Sequence, residues 1–119
     1  MAERLPRILL HGEGLAVAAA AAALYFYAGY PWWLLLALAL APDLSIIGFA
    51  AGQRVGAVAY NVAHTYALPV ALAAAGVLGE ADWPVQLGLI WLTHIGVDRA
   101  IGYGLKYPTA FKDTHLQRV

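Results

Sequence analysis

The sequence predicts an all-α integral membrane protein, a four-helix up-down bundle with both termini in the cytoplasm. Three observations lead there. Of 119 residues, 62% are apolar and only 12% are charged, about half of the roughly 25% with which a soluble domain covers its surface. Four stretches each approach the length of about 20 mostly apolar residues that a spanning helix needs. The joints between them are short, which forces neighbouring helices to run antiparallel.

The spans run over about 9–28, 31–51, 55–78 and 83–105, with a polar cytoplasmic tail at 106–119, so that 1–119 reads as one transmembrane domain. The first is dominated by the run Ala18–Ala23. Its basic flank, Arg4 and Arg7, imitates a signal peptide, but Glu13 interrupts the pattern and no small-x-small cleavage site follows. The second opens with Trp32 and Trp33 and is interrupted by Pro42-Asp43. The joints are Gly29-Tyr30, Gly52-Gln53-Arg54 and Gly79-Glu80-Ala81-Asp82.

Orientation follows from the basic residues. Arg4, Arg7, Arg54, Lys106, Lys112 and Arg118 all fall on one side of such a bundle, and the opposite loops contain no Lys or Arg. The positive-inside rule makes that side cytoplasmic. Tyr25, Tyr27, Tyr30, Trp32, Trp33 and Trp83 gather at the outer ends, at headgroup level. These features imply a multi-pass membrane protein, with membrane lipid as its partner and a homo-oligomer as an option for so small a bundle.

Several functions are excluded. Seven basic residues balance seven acidic ones, so there is no basic footprint for nucleic acid. Without cysteine there is no disulfide, thiolate metal site or Cys nucleophile. No Gly-rich phosphate loop with a Lys is present. The single serine, Ser45, lies beside Asp43 and forms no Ser-His-Asp arrangement.

An ionisable group inside a span costs at least about 2.5–3.5 kcal/mol on insertion scales, so it should face the bundle interior with a partner. Glu13, Asp43, His64, His94, Asp98 and Arg99 are such groups. Counted from the inner ends of their spans at about 1.5 Å per residue, the first five lie roughly 6–17 Å from the cytoplasmic edge. Four helices thus converge at one depth. His94 and Asp98 stand at i and i+4 on one face. Asn61, His64 and Thr65 share a face of the third span, with Asn61, Thr65 and Arg99 available as supporting groups around the ligands. Pro42 and Pro69 expose backbone carbonyls at depth, and Gly88 and Gly96 permit close helix approach.

Asp43, His64, His94 and Asp98 therefore read as ligands of a divalent metal, and a set of nitrogen and oxygen donors suits zinc, iron or manganese. Two His and one Asp would leave a position for water, with Glu13 or the remaining Asp, taken as Asp98, as catalytic base. A blander reading stands beside it, in which the His are interhelical glue and Asp98 or Asp43 pairs with Arg99. His11 reads as interfacial and structural. The tail reads either as an interfacial segment anchored by Tyr107, Phe111 and the lysines, or as a lid that brings Asp113 or His115 to the cavity mouth.

The strings Ala41-Pro42-Asp43-Leu44-Ser45, Tyr60-Asn61-Val62-Ala63-His64-Thr65-Tyr66, His94-Ile95-Gly96-Val97-Asp98-Arg99, Gly102-Tyr103-Gly104-Leu105-Lys106-Tyr107 and Phe111-Lys112-Asp113-Thr114-His115-Leu116 resemble an uncharacterised family of short bacterial membrane proteins, the domain of unknown function numbered forty-two sixty. More distantly, the order Pro-Asp, His-Thr, His-x3-Asp is similar to the inner-membrane family of membrane-bound metal-dependent hydrolases. That resemblance implies Asp43, His64, His94 and Asp98 as ligands. Ser45 stands where a second Asp would be, and the His-Arg pair upstream of His64 is missing, so it implies one metal rather than two.

The leading expectation is a metal-dependent hydrolase acting from the cytoplasmic side, with a lipid-like or phosphoester substrate implied by the resemblance. The alternative is a non-enzymatic small channel, transporter subunit or assembly factor that handles protons or ions through the buried acids and His. A third reading places haem between His64 and His94.

Overall fold

Pro6 sits in the first turn of α1 (Leu5–Tyr27), where a missing N–H breaks no bond, and the alanine run behind it favours unbroken helix. The chain then forms α2 (Trp32–Leu38), a 3-10 segment (Ala41–Ala51), α3 (Gln53–Ala63), α4 (Ala67–Leu78), α5 (Asp82–Ile101) and α6 (His115–Arg118). This computed structural model describes residues 4–108 and 111–118. Among the described residues there is no strand, only an isolated antiparallel bridge between Lys106 and Thr114.

Three helical stretches are long and apolar enough to cross a membrane: Leu5–Tyr27, Trp32–Ala51 and Gln53–Leu78. The fourth expected span corresponds to α5, which has the length at 20 residues but is not among the three. Asp82, His94, Asp98 and Arg99 lower its hydropathy. The same side chains make α5 the scaffold of the site.

α5 packs against α1 on one side and α4 on the other, while the 3-10 segment packs on α3. The α1–α5 contact is backbone to backbone. A Cβ on Gly96 would lie 2.7 Å from the Gly14 carbonyl oxygen, and one on Gly88 would lie 2.8 Å from Ala73 of α4. Small residues allow this approach, as the sequence predicts. Where α1 ends and α5 begins, Ala21, Tyr25, Leu89 and Ile90 form an apolar core, against which Leu34, Leu38 and Val85 pack. The Tyr25 hydroxyl donates to the Pro31 carbonyl at 2.6 Å.

The opposite end is irregular. The second span breaks between α2 and the 3-10 segment, at Ala39 and Leu40, and the third breaks at His64–Tyr66 between α3 and α4. α5 stops at Gly102, whose φ of +104° is the left-handed conformation of a helix C-terminus. Beyond it the chain folds back: the Tyr107 N–H donates to the Asp113 carbonyl and the His115 N–H to the Leu105 carbonyl, each at 2.8 Å.

Candidate metal centre

Both breaks do the same local thing. In a regular α-helix the N–H of Asp43 would bond the carbonyl of Ala39, four residues back. Instead it bonds Leu40, three residues back, at 3.0 Å. This leaves the Ala39 carbonyl to accept the Nδ1–H of His94 at 2.6 Å. Likewise the His64 N–H bonds Asn61 at 3.2 Å, and the Tyr60 carbonyl accepts the Nδ1–H of His64's own ring at 2.8 Å. Each tightened turn frees one carbonyl, and each freed carbonyl orients one imidazole.

The consequence is chemical. A carbonyl oxygen can only accept, so both Nδ1 atoms carry the proton, and each neutral ring presents a bare Nε2 lone pair. The two Nε2 atoms face each other at 3.2 Å. Asp43 Oδ1 lies 3.0 Å from His64 Nε2 and 3.1 Å from His94 Nε2. Asp98 Oδ2 lies 3.4 and 3.3 Å from the same atoms. One donor atom from each of the four side chains lies within 4.8 Å of all the others, an arrangement that could hold a metal ion. Bonds of about 2.0–2.1 Å to a tetrahedral ion imply donor separations of roughly 3.3–3.4 Å, close to these values. Four electron-rich atoms turned toward one point repel one another unless a cation or proton lies between them.

Exposure shows which side is open. The imidazoles are closed off, at 0% and 4% side-chain exposure, whereas Asp98 is 13% and Asp43 35% exposed. Both carboxylates line a cavity of about 560 Å³ together with Tyr60, Tyr103, Lys106 and Lys112. The Tyr60 ring stacks on His64, with centroids 3.7 Å apart and planes at 8°.

α5 satisfies the backbone that the second break leaves open. The Trp91 indole N–H donates to the Ala63 carbonyl. The Arg99 guanidinium donates to the His64 carbonyl at 2.6 Å and to Tyr103 at 2.8 Å. Arg99 therefore holds the chain at His64 and forms no ion pair with Asp98 or Asp43 among the described residues, so the pairing in the blander reading is corrected.

The shared face expected for Asn61, His64 and Thr65 does not survive the break, because a residue beyond the last helical turn leaves the helix's face. Asn61 turns to the tail, donating to the Lys106 carbonyl at 2.8 Å and accepting from its N–H at 2.6 Å. Thr65 lines a second, smaller cavity with Glu13, Tyr66, Arg99 and His115. Glu13 is exposed on α1 and is not among the four clustered side chains. The clustered side chains thus come from three parts of the chain rather than four. His11 has the structural role expected of it, its Nδ1–H donating to the Ala100 carbonyl at 3.0 Å. A haem between the imidazoles would have to displace both Asp43 and Asp98, which crowd the same two nitrogens.

The tail roofs the larger cavity. Lys106, only 5% exposed, donates from Nζ to the Phe111 carbonyl and lies over the rings of Phe111 and Tyr60, at 3.5 and 4.4 Å from their centroids. Burial pushes its pKa down from the ordinary lysine value, while Asp98 and Asp43 pull it up. His115 Nδ1 accepts the Leu105 N–H at 2.8 Å, and burial, then Arg99, lowers its pKa. Asp113 pairs with Arg118 at 2.6 Å. Neither Asp113 nor His115 lines the larger cavity; Lys106, Lys112, Phe111 and Thr114 do. The sequence reading missed Lys106, because a Lys just past an apolar span reads as an interfacial anchor. Tyr60 and Trp91 carried no signal beyond being aromatic.

Fold and site together define an all-helical protein of membrane character with a buried group of two His and two Asp suited to a metal ion. The chain belongs to the family of the domain of unknown function DUF4260, whose model matches residues 7–119. No curated protein and no solved structure matches it.

Proposed function

We propose that this protein is a membrane-embedded hydrolase dependent on one divalent metal, held by His64, His94 and Asp43 with Asp98 beside it. The observation that carries the reading is the locking of both Nδ1–H groups onto carbonyls, which leaves two imidazole lone pairs and two carboxylates converging on one point. Zinc, iron and manganese suit the donor set. Bound there, the metal would supply Lewis acidity toward water, and Asp98, the carboxylate farther from both imidazoles, would serve as the general base. The substrate, lipid-like or a phosphoester, reaches the site through the cavity on which Asp43 and Asp98 open.

In this reading the four long helical stretches, α5 included, form an up-down bundle in a bacterial inner membrane, with both termini cytoplasmic. The lipid-facing surface is supplied in large part by Trp32–Ala51. None of its residues is buried, and Leu36, Leu40 and Ile47 are each more than two-thirds exposed. An apolar surface of that extent is unusual on a soluble monomer.

Elemental analysis of protein purified in detergent without added metal tests the centre. The expected result is about one equivalent of metal per chain, absent from a variant carrying both His64→Ala and His94→Ala. Full retention of metal by that variant overturns the proposal. Chelator-sensitive release of phosphate or alcohol from an added ester, lost in Asp98→Asn at unchanged metal content, tests the hydrolytic step.

A further inference from the structure

Without a metal, Asp43 and Asp98 balance the two lysines that line the cavity above the centre; a bound metal leaves that cavity with an excess of positive charge. A divalent cation cancels Asp43 and Asp98. Lys106 and Lys112, which line the same cavity, then remain as excess positive charge. Lys112 is exposed and water screens it. Lys106 is buried, the only hydrogen-bond acceptor of its ammonium among the described residues is the Phe111 carbonyl, and no carboxylate there lies within ion-pair distance. A buried ammonium without a counter-charge is costly unless something anionic joins it.

The position of Lys106 is fixed from several sides. Asn61 holds its backbone from α3, and its N–H and carbonyl both bond the Asn61 side chain. The rings of Tyr60 and Phe111 flank its ammonium. Tyr60 in turn stacks on the ligand His64, so a single aromatic ring separates the ammonium from the metal-binding imidazole. A lysine so constrained is placed for a ligand, because a snorkelling anchor would extend into water.

We infer that this cavity binds the phosphate group of an anionic substrate, one oxygen directed to the His64–His94–Asp43–Asp98 centre and another to the Lys106 ammonium, with Lys112 at the mouth. The inference rests on the metal centre proposed above and names its substrate class. A tetrahedral oxyanion offers oxygens in several directions and so can reach both poles at once, and lysine is a point-charge partner for phosphate. The volume of about 560 Å³ is that of an ordinary small-molecule site. The same phosphate could belong to a lipid headgroup or to a soluble ester.

Calorimetric titration of inorganic phosphate into metal-loaded protein in a maltoside detergent tests this, with acetate as the control anion. Phosphate is expected to bind and acetate not to bind over the same concentration range. Lys106→Met should weaken phosphate binding at least about tenfold, the usual weight of a charge-assisted hydrogen bond. Lys112→Met should weaken it roughly twofold. Both variants should keep the wild-type metal content. Unchanged phosphate affinity in both variants, or equal binding of acetate, overturns the inference while leaving the metal centre standing. Absence of metal from the wild type overturns the centre itself. If Lys106→Met loses its metal or does not fold, the Lys112→Met variant and the phosphate–acetate contrast decide. Adding phosphatidylglycerol to the micelles separates the sources: competition with inorganic phosphate assigns a lipid headgroup, and its absence a soluble ester.

Discussion

The unbroken helices α1 and α5 and the broken stretches Trp32–Ala51 and Gln53–Leu78 are built from similar apolar residues but use their backbones differently. In the first pair the helical ladder is continuous and contact is made through Gly14, Ala18 and Gly96. In the second pair the α-helical ladder is interrupted, at Ala39–Leu40 before the 3-10 segment and at His64–Tyr66, and four carbonyls at these breaks are bonded by side chains. Ala39 holds the ring of His94, Tyr60 that of His64, Ala63 the Trp91 indole and His64 the Arg99 guanidinium. The lesson concerns economy of polar groups. In an apolar surrounding a freed carbonyl must be satisfied, and here the satisfying groups are the two clustered imidazoles and the side chains that fix their place.

Removing the clamp on the broken side should have the largest effect on that contrast. Arg99→Met leaves the His64 and Tyr103 carbonyls without donors, a loss of about 1–3 kcal/mol for the buried His64 acceptor and less for Tyr103, which water reaches. A fall in melting temperature together with weaker metal retention is expected. Loss of stability with metal affinity unchanged would show that Arg99 holds the chain without positioning His64.

Overpacking the unbroken side should cost less and act differently. Gly96→Val places side-chain atoms against the α1 backbone at Gly14 and Ala18, with an expected loss of about 1–3 kcal/mol. The folded fraction should still bind about one metal per chain. Metal loss as severe as in Arg99→Met would dissolve the distinction between the two pairs.

The smallest expected effect is on the tail. His115 has a pKa lowered by burial and by Arg99, which lines the same small cavity as Glu13. A depressed folded-state value means that the neutral ring is favoured, so the docking energy is fully present above the unfolded value of about 6.5. It is lost as pH falls through the folded pKa, since protonated Nδ1 can no longer accept the Leu105 N–H. Hydrogen exchange at the Leu105 amide should therefore quicken as pH falls from about 7.5 to 5, after correction for the intrinsic rate. His115→Gln, which keeps an acceptor, should flatten that dependence. A profile unchanged by the substitution would assign the tail's hold to Asn61 alone.

Much of the site was legible in the sequence because ionisable groups are rare in apolar spans. Asp43, His64, His94 and Asp98 stand out against Ala, Leu and Val, and the i, i+4 spacing of His94 and Asp98 orients both on α5. Depth counting brought in Glu13 as well, but depth carries no azimuth, and the structure puts Glu13 on another cavity. Helical periodicity likewise grouped Thr65 and Asn61 with His64, an inference that holds only while the helix continues, and the helix ends at Ala63.

Composition and spacing determined that this chain is helical and apolar enough to enter a membrane, and they marked four side chains that hydrocarbon alone does not stabilise. These properties are local, set by transfer free energies and by the 3.6-residue period. The tertiary structure decided which of the polar groups meet, which ring nitrogen keeps its proton and that a folded-back lysine overlooks the cavity. Those outcomes depend on two tightened turns and on contacts between residues 35 or more positions apart, such as Arg99 with His64 and Lys106 with Asn61. No periodicity encodes such contacts, because they come into being only when separate helices pack.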